Sequence, residues 1–417
     1  MRLNDACPMT ERAASYPYTS PHQMTPMLPG DHQLERLRLL AADVIAGAGD
    51  LASHGMPRLR LLLRGALRPM NSYYTNKIEG QQTEPLLIER AMRHDFSGSP
   101  DEARRQRIAI AHIDTERWSE TVWTSFDSMT FFTPDTVREI HRHLHAQLPL
   151  EDLLQQGDSG VTAAVTPGEW RTQGVRVGRH VPPGPADIPA FMQAWHAAYR
   201  YARGGETAVI ALAAAHHRLA WIHPFLDGNG RTARLHTHIG LSALRLTHGL
   251  WSPMRGLARS QAQYYEHLIA ADQSRRGDLD GRGNLTEGGL VEFIEYFLRT
   301  CLDQIQFMGG MLDLQAFELR LAQMLAALGQ DGNARHLRAE AATPLAYLAT
   351  VDAMDRSRFK AMTGLAARTA DRVLSDLFKI GILVSHSPRG PVELAIPLSL
   401  FRWLFPRLWP EAEGTGT

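Results

Sequence analysis

His223-Pro224-Phe225-Leu226-Asp227-Gly228-Asn229-Gly230-Arg231-Thr232-Ala233-Arg234 is the stretch on which the reading of this chain turns. Gly228 and Gly230 flank Asn229 immediately before a helical run, RTARLHTHIGLSALRL. Glycine tolerates positive φ, so the backbone N–H groups here can turn together toward an anion. The helix N-terminus that follows adds its partial positive charge. Arg231 and Arg234 lie three apart on that helix and reach forward from one face. Two guanidinium forks over a glycine nest suit a chain of phosphates. Asp227 at the loop entrance is a carboxylate placed to hold magnesium between protein and substrate. His223 can serve near neutral pH as a general base on an incoming hydroxyl. Phe225 reads as the apolar residue that fixes the loop to a core. This set is what phosphoryl-group transfer needs, because there the protein mainly positions groups and neutralises charge.

Outward from the loop the pattern is helical. Upstream, Glu206 to Trp221 and Asp187 to Tyr201 read as helices, as does Arg105 to Phe126. Thr133 and Pro134 have the form of an N-cap and first-turn proline for PDTVREIHRHLHAQL. Residues 32 to 70 carry two amphipathic runs, QLERLRLLAADVIAG and MPRLRLLLRGAL, and NSYYTNKIEG is a further short helix stopped at Gly80. Downstream helices are expected at Gln261 to Asp272 and Gly288 to Gln306. The exception is Pro167 to Pro183, PGEWRTQGVRVGRHVPP, where β-branched alternation between Gly and Pro predicts a small hairpin.

At every defined position the loop resembles the signature of the Fic family, His-x-Phe-x-Asp/Glu-Gly-Asn-Gly-Arg-x-x-Arg. The resemblance covers residues 60 to 305 and implies a mostly α protein: an all-helical Fic fold with a small β-hairpin flap. It implies a protein adenylyltransferase that moves AMP from ATP, with Mg2+, onto a Ser, Thr or Tyr hydroxyl of a target protein. His223 would deprotonate that hydroxyl and Asp227 would bind Mg2+. Asn229 and the amides of Gly228 and Gly230 would hold the α-phosphate, with Arg231 on the β- and Arg234 on the γ-phosphate. Doc-type relatives, which transfer a phosphate, carry Lys where this chain has Gly230, so Gly230 favours nucleotidyl transfer. UMP- and phosphocholine-transferring variants stay open on the motif alone. The Pro167–Pro183 hairpin resembles the flap that aligns a target peptide by strand addition, with Val175 and Val177 lining it.

Thr75-Asn76-Lys77-Ile78-Glu79-Gly80 resembles the family's inhibitory motif, Ser/Thr-x-x-x-Glu-Gly/Asn. Thr75 and Glu79 are one helical turn apart and share a face. Docked at the phosphate site, Glu79 would pair with Arg234 and fill the room of the γ-phosphate, leaving ATP misaligned. A displacement of about 1 Å can cost roughly a hundredfold in rate. In some relatives the same glutamate helps remove AMP, and that second activity stays open.

From these patterns the expected organisation is a flexible arm over 1–30, an N-terminal helical region carrying the inhibitory helix over 31–115, and a catalytic core over 116–306. A helical linker over 307–334 then leads to a C-terminal module over 335–410. There TPLAYLATVDAMDRSRFKAMTGLAARTADRVLSDLFKIGILV reads as helix, turn at Gly364, helix and strand, followed by the hairpin SPRGPVELAIP. That order is a winged helix-turn-helix. Arg368, Arg372, Lys379 and Arg389 could face DNA phosphates, but Asp371 and Asp376 share the helix, and such modules also dock proteins. A DNA-binding regulator with a nucleotide-sensing domain is therefore the alternative; the presence of His223 favours the enzyme.

Lys+Arg and Asp+Glu both number 44, so no global field draws the chain to nucleic acid or membrane. No apolar stretch approaches the roughly 20 residues of a membrane span. Cys7 and Cys301 are too few and too separated for a disulfide framework, and the first twenty residues lack the apolar core of a signal peptide. A cytoplasmic location is expected. Homodimers occur among Fic relatives, but no interface is legible here. His141 and His145 have zinc-compatible spacing without a third ligand, and a satisfied or solvent-facing pair is expected. His216, His217, His236 and His238 are expected to be packing residues, as is Tyr264-Tyr265, which could otherwise close the adenine side. Asp278 to Gly283 imitates a calcium loop, but Arg282 stands at a ligand position.

Overall fold

Apolar spacing of three and four becomes helix nearly everywhere, and the strands among the described residues form three two-stranded ladders. The computed structural model describes residues 7–8, 16–53, 56–156, 162–330 and 334–408. The chain forms two compact units, Met1–Gly49 with Asn71–His248 and Ser252–Gln304, and Asp50–Met70 with Gly249–Trp251 and Ile305–Thr417.

In chain order the first unit draws on β1 (Cys7–Pro8), most of α1 (Asp31–Ser53), the end of α2 (Pro57–Ile78) from Asn71 onward, α3 (Pro85–Ala91), α4 (Pro100–Val122), α5 (Ser128–Phe131) and α6 (Pro134–His145). It continues through α7 (Leu150–Leu153), β2 (Leu154–Gln156), β3 (Thr162–Ala164), β4 (Val175–Arg176), α8 (Ile188–Tyr199), α9 (Gly205–Ile222) and α10 (Asn229–Ala243). It closes with α11 (Pro253–Arg259), α12 (Gln261–Ala271) and most of α13 (Glu287–Met311). The middle of this unit is the pair α9 and α10, buried almost all round, with α4, α6 and α8 packed about them. Alanines at 208, 211, 213, 214 and 215 make α9 thin enough for neighbours on every side. Gly240 lets α10 pass against it: a Cβ there would overlap the methyls of Leu212 and press on Phe131. Phe131, Phe132, Trp195, Tyr199 and His236 fill the adjoining core with edge and tilted ring contacts.

Sequence signals explain the ends of α6. Thr133 accepts the Thr136 N–H as N-cap at 3.1 Å, and Pro134 opens the helix. Val137, Ile140, His141 and Leu144 then face inward at helical spacing.

Four expectations need correction. Residues 57 to 78 form one helix, α2, with no break near Met70, although Pro69 lies inside it. A proline removes one backbone bond, but Met70, Tyr74, Thr75 and Ile78 are buried on one face and hold the helix across it. Secondly, α4 starts at Pro100, earlier than Arg105, because Ser99-Pro100 is itself a helix start. Thirdly, the arm expected over 1–30 is ordered from Tyr16: Arg218 donates to Pro26 O at 2.7 Å, Tyr199 to Met27 O at 2.7 Å and the Leu285 N–H to Thr25 O at 2.8 Å. Those partners are distant in sequence, so local composition carries no trace of them. Residues 1–6 and 9–15 of that arm lie outside the described residues.

The fourth concerns the hairpin. Its strand β4 is two residues long, with one further bridge between Val177 and His180 about Gly178. β4 pairs antiparallel with β1, Cys7 opposite Arg176 and Pro8 opposite Val175. The rest of the segment is held by a side chain: the Arg171 guanidinium donates to His223 O (2.9 Å), Gln173 O (3.0 Å) and Pro183 O (2.5 Å). The small β2–β3 ladder, with Leu154 opposite Ala164, carries no such warning in the sequence.

The second unit contains α14 (Leu314–Leu328), α15 (Ala342–Leu348), α16 (Arg356–Met362), α17 (Ala367–Lys379), β5 (Leu383–Val384), β6 (Glu393–Leu394) and α18 (Phe401–Leu404). β5 and β6 pair antiparallel, and Met354 bridges to Val392 beside them. Leu345, Phe359, Val373, Leu377 and Leu394 form its buried face.

The close crossing at Gly240 gives a direct test. Gly240→Val should lower the stability of the first unit by about 1–3 kcal/mol, read as an earlier thermal transition. An unchanged melting temperature would show that the crossing has slack.

Candidate active site

The loop between α9 and α10 is built by two left-handed residues. His223 ends α9 with φ 50°, its N–H still bonded to Leu219 O at 3.1 Å and its Nδ1 3.4 Å from Ala220 O, so the chain turns sharply out of the helix. Gly228 starts α10 with φ 76°, and a Cβ there would collide with the ring of His145. Between them Asn229 staples the loop: its Oδ1 accepts the Phe225 N–H at 2.9 Å and its Nδ2 donates to Phe225 O at 2.9 Å. The Asn229 side chain, expected to hold phosphate, is thus spent on shaping the loop.

Beneath the loop, His141 stacks flat on Phe225, 3.7 Å between centroids at 5°. Its Nδ1 accepts the Gly168 N–H at 2.9 Å, so its Nε2 carries hydrogen and donates to Asp227 O at 3.1 Å. His145 stacks next to it, bonded through Nδ1 to His141 O. The pair is satisfied in part and has a role the sequence reading missed, supporting the phosphate loop from below. The signal was present, since the i, i+4 spacing on the buried face of α6 puts both rings toward one neighbour. Among the described residues no group of three His, Cys, Asp or Glu could hold a metal.

Asp227 keeps one carboxylate oxygen occupied: Oδ2 accepts Gln155 Nε2 at 2.8 Å and Arg231 Nη2 at 3.1 Å. Burial would raise its pKa, but Arg231, His145 and the Gly228 N–H outweigh that and hold it below the usual carboxylate range. The side chain is 27% exposed. Gln155, on β2, was not foreseen.

Arg234 is enclosed. Its Nε donates to Thr75 Oγ1 at 2.7 Å, and one Nη donates both to Thr75 O and to the Glu79 carboxylate. Glu79 lies one residue past α2, whose end is closed by Gly80 at φ 68° and by Gln81 N–H on Asn76 O at 2.8 Å. Tyr265 and Gln261 of α12 each donate to Ile78 O at 2.9 Å and fix this turn in place. Tyr265 therefore holds the turn, and Tyr264 is core, donating or accepting at His216 Nε2 over 2.8 Å. At Gly230 a Cβ would meet the Glu79 carboxylate and the Arg234 guanidinium, so a larger residue there would have to displace one of them.

The flap valines divide. Val175 is buried against Val165 and Leu226, and Val177 takes part through its main chain, exchanging both bonds with His180 at 2.9 Å. His217 and His238 meet Asp272 and Glu116, as packing residues do. In the calcium-like loop Asp280 spends its oxygens on Thr286, Gly288 N–H and Arg276 N–H.

With this geometry in place, comparison with known proteins is informative. Residues 131–241 match the Fic/DOC family, so the chain carries a domain of that family around the His223–Arg234 loop. The curated protein adenylyltransferase Fic of Drosophila grimshawi is 34% identical over 130 residues, 30% of this chain and 26% of that protein. The protein of the same name from Nematostella vectensis is 30% identical over 211 residues, 50% of this chain and 43% of that protein. The chain thus spans less than half the length of these relatives. A Fic family protein from Desulfovibrio desulfuricans G20 superposes with a TM-score of 0.48 at 17% identity, over 91% of this chain and 99% of that one. No helix among the described residues is long and apolar enough to cross a membrane.

Burial disfavours the charged form of several histidines of this unit. It lowers His112 and His236 to about 3, His145 to about 4 and His223 to about 3, Arg171 and His180 adding to the effect at His223. Unfolded histidines titrate near 6.5. Between those values the unfolded chain binds more protons than the folded one, so stability is full above about 6.5 and falls as pH drops toward 4. Thermal melts should be level from pH 8 to 7 and decline steadily below 6.5; a flat profile down to pH 5 would contradict neutral burial.

Proposed function

We propose that this protein transfers AMP from ATP onto a Ser, Thr or Tyr hydroxyl of a target protein, with Glu79 as an intramolecular brake. The observation that carries the reading is the joining of His223, Asp227, Arg231 and Arg234 around one glycine-turned helix N-terminus. His223 is neutral, so its free ring nitrogen accepts the proton of the target hydroxyl as the oxygen attacks the α-phosphorus. The bond from that phosphorus to the bridging oxygen breaks and pyrophosphate leaves. Backbone N–H groups at the start of α10 receive the α-phosphate charge, and Arg231 the charge of the leaving group. Asp227, ionised and partly exposed, is the residue that would hold Mg2+, which would supply neutralisation of phosphate charge.

Glu79 pairs with Arg234, the residue read as the γ-phosphate clamp, and that contact supports the brake. Reciprocal loss follows: while the carboxylate occupies the guanidinium, the nucleotide lacks its outer clamp and its α-phosphate is poorly aligned.

For the second unit we infer a winged helix-turn-helix formed by α15, α16, α17 and the β5–β6 ladder. Lys379 of α17 and Lys360 of α16 are engaged by Asp376 and Asp371 (2.8 and 2.9 Å), and Arg368 and Arg372 are the further exposed cations of α17. That density favours docking of a protein, a second copy included, over DNA. Absence of a gel shift with duplex DNA at physiological salt is the expected outcome.

The test of the enzyme uses ATP labelled at the α-phosphate, with Mg2+, on wild type, Glu79→Gly and Glu79→Gly/His223→Ala. Label should appear on protein with Glu79→Gly and fall about 10²–10⁴-fold when His223 is removed. Equal labelling of wild type and Glu79→Gly would remove the brake from the account. If no lane labels any protein, ATP is not the AMP donor.

A further inference from the structure

β4 has a partner that its role does not require. Val175 and Arg176 are paired along their main chain by Cys7 and Pro8 of the same polypeptide. A two-residue strand on an exposed edge presents unpaired N–H and C=O groups, a template for any extended chain that comes alongside. Here the chain's own beginning takes that template.

We propose that the segment carrying Cys7–Pro8 is a tethered occupant of the strand edge at Val175–Arg176, which the backbone of an incoming protein target must displace. This rests on the reading of that edge as the target-docking strand. The restraint would act at the acceptor end of the site, whereas Glu79 acts at the nucleotide end.

Two features make the occupant a competitor and not a permanent part of the fold. The pairing is short, and Pro8, opposite Val175, has no N–H to give to the ladder. What keeps it in place is its tether. Residues from Tyr16 onward are fixed to the same unit: the Tyr16 ring lies so close to Gly174 and Gly184 that a Cβ on either would overlap it. The Tyr18 ring sits 4.6 Å from that of Trp221, two residues before His223. Tyr16 therefore fixes the chain beside β4 itself. A short tether of this kind holds its end near the site at an effective concentration on the order of millimolar. A free target must exceed that, or be delivered by docking elsewhere.

Cys7 and Arg176 provide a reporter. Residues opposed across an antiparallel ladder have Cα atoms about 4.5–5.5 Å apart, within the span of a disulfide. Arg176 is exposed, and Cys301, the other cysteine, is fully buried and cannot compete. Full-length Arg176→Cys, oxidised, should give an intramolecular link between the peptides carrying residues 7 and 176, absent from Cys7→Ala/Arg176→Cys. Independently, hydrogen exchange at the amides of residues 175–177 should quicken about tenfold or more in a chain lacking residues 1–8. No link together with unchanged exchange would overturn the pairing.

The competition is then read in the Glu79→Gly background with α-labelled ATP and lysate proteins as acceptors. The oxidised Arg176→Cys chain should label them at least tenfold less than the same chain after reduction. A link that forms while labelling is undiminished overturns the competition. If the link forms and neither redox state labels anything, the AMP-transfer reading fails and the occupancy stands on the cross-link and exchange.

Discussion

A guanidinium as enclosed as that of Arg234, 2% exposed, must be met by a negative charge, because a buried cation left alone is far costlier than a paired one. Much of the first unit follows from that constraint. Thr75 and Glu79 arrive on the end of α2, and Tyr265 and Gln261 secure that end. In the proposed cycle a phosphate replaces the carboxylate. The exchange is close to balanced in charge, which is what a reversible restraint requires. A brake built from an apolar plug would have left the arginine unmatched.

The loop itself is shaped before any ligand arrives. Asn229 closes it from within, His141 supports it from below and Arg171 ties its entrance to the segment around β4. Preorganised donors need no rearrangement when charge develops on a phosphate, and this is where electrostatic catalysis gains most. The cost shows elsewhere: left-handed backbone at His223 and Gly228, and an unpartnered Nε2 on His145.

The loop and its neighbouring helices were legible because their determinants are local. Glycine spacing, a Thr-Pro helix start and the alanine run of α9 each act over a few residues. The Thr75–Glu79 pair could be placed opposite Arg234 from the motif it resembles, and the structure brings those three side chains together. What was not legible depends on partners far apart in sequence. Gln155 reaches Asp227 from a ladder of three residues, too short to leave a pattern. The stretch from Tyr16 to Gly30 looks unstructured by composition, yet its carbonyls are taken by Arg218, Tyr199 and the backbone of Leu285. The hairpin was expected to close on itself; a single arginine took up its carbonyls instead, and its edge strand found a partner well over a hundred residues earlier.

Gly230 links two properties that need not have been linked. The hydrogen in place of a side chain at this position is what allows the Glu79 carboxylate to lie against Arg234. Any residue with a Cβ, lysine included, would have to displace the glutamate or the guanidinium in the same step that altered contact with the phosphates. In this architecture, then, a substitution at residue 230 that altered contact with the phosphates would disturb the internal restraint as well. A lineage that changed residue 230 would have to find its restraint outside the loop, on another part of the chain or on a separate protein.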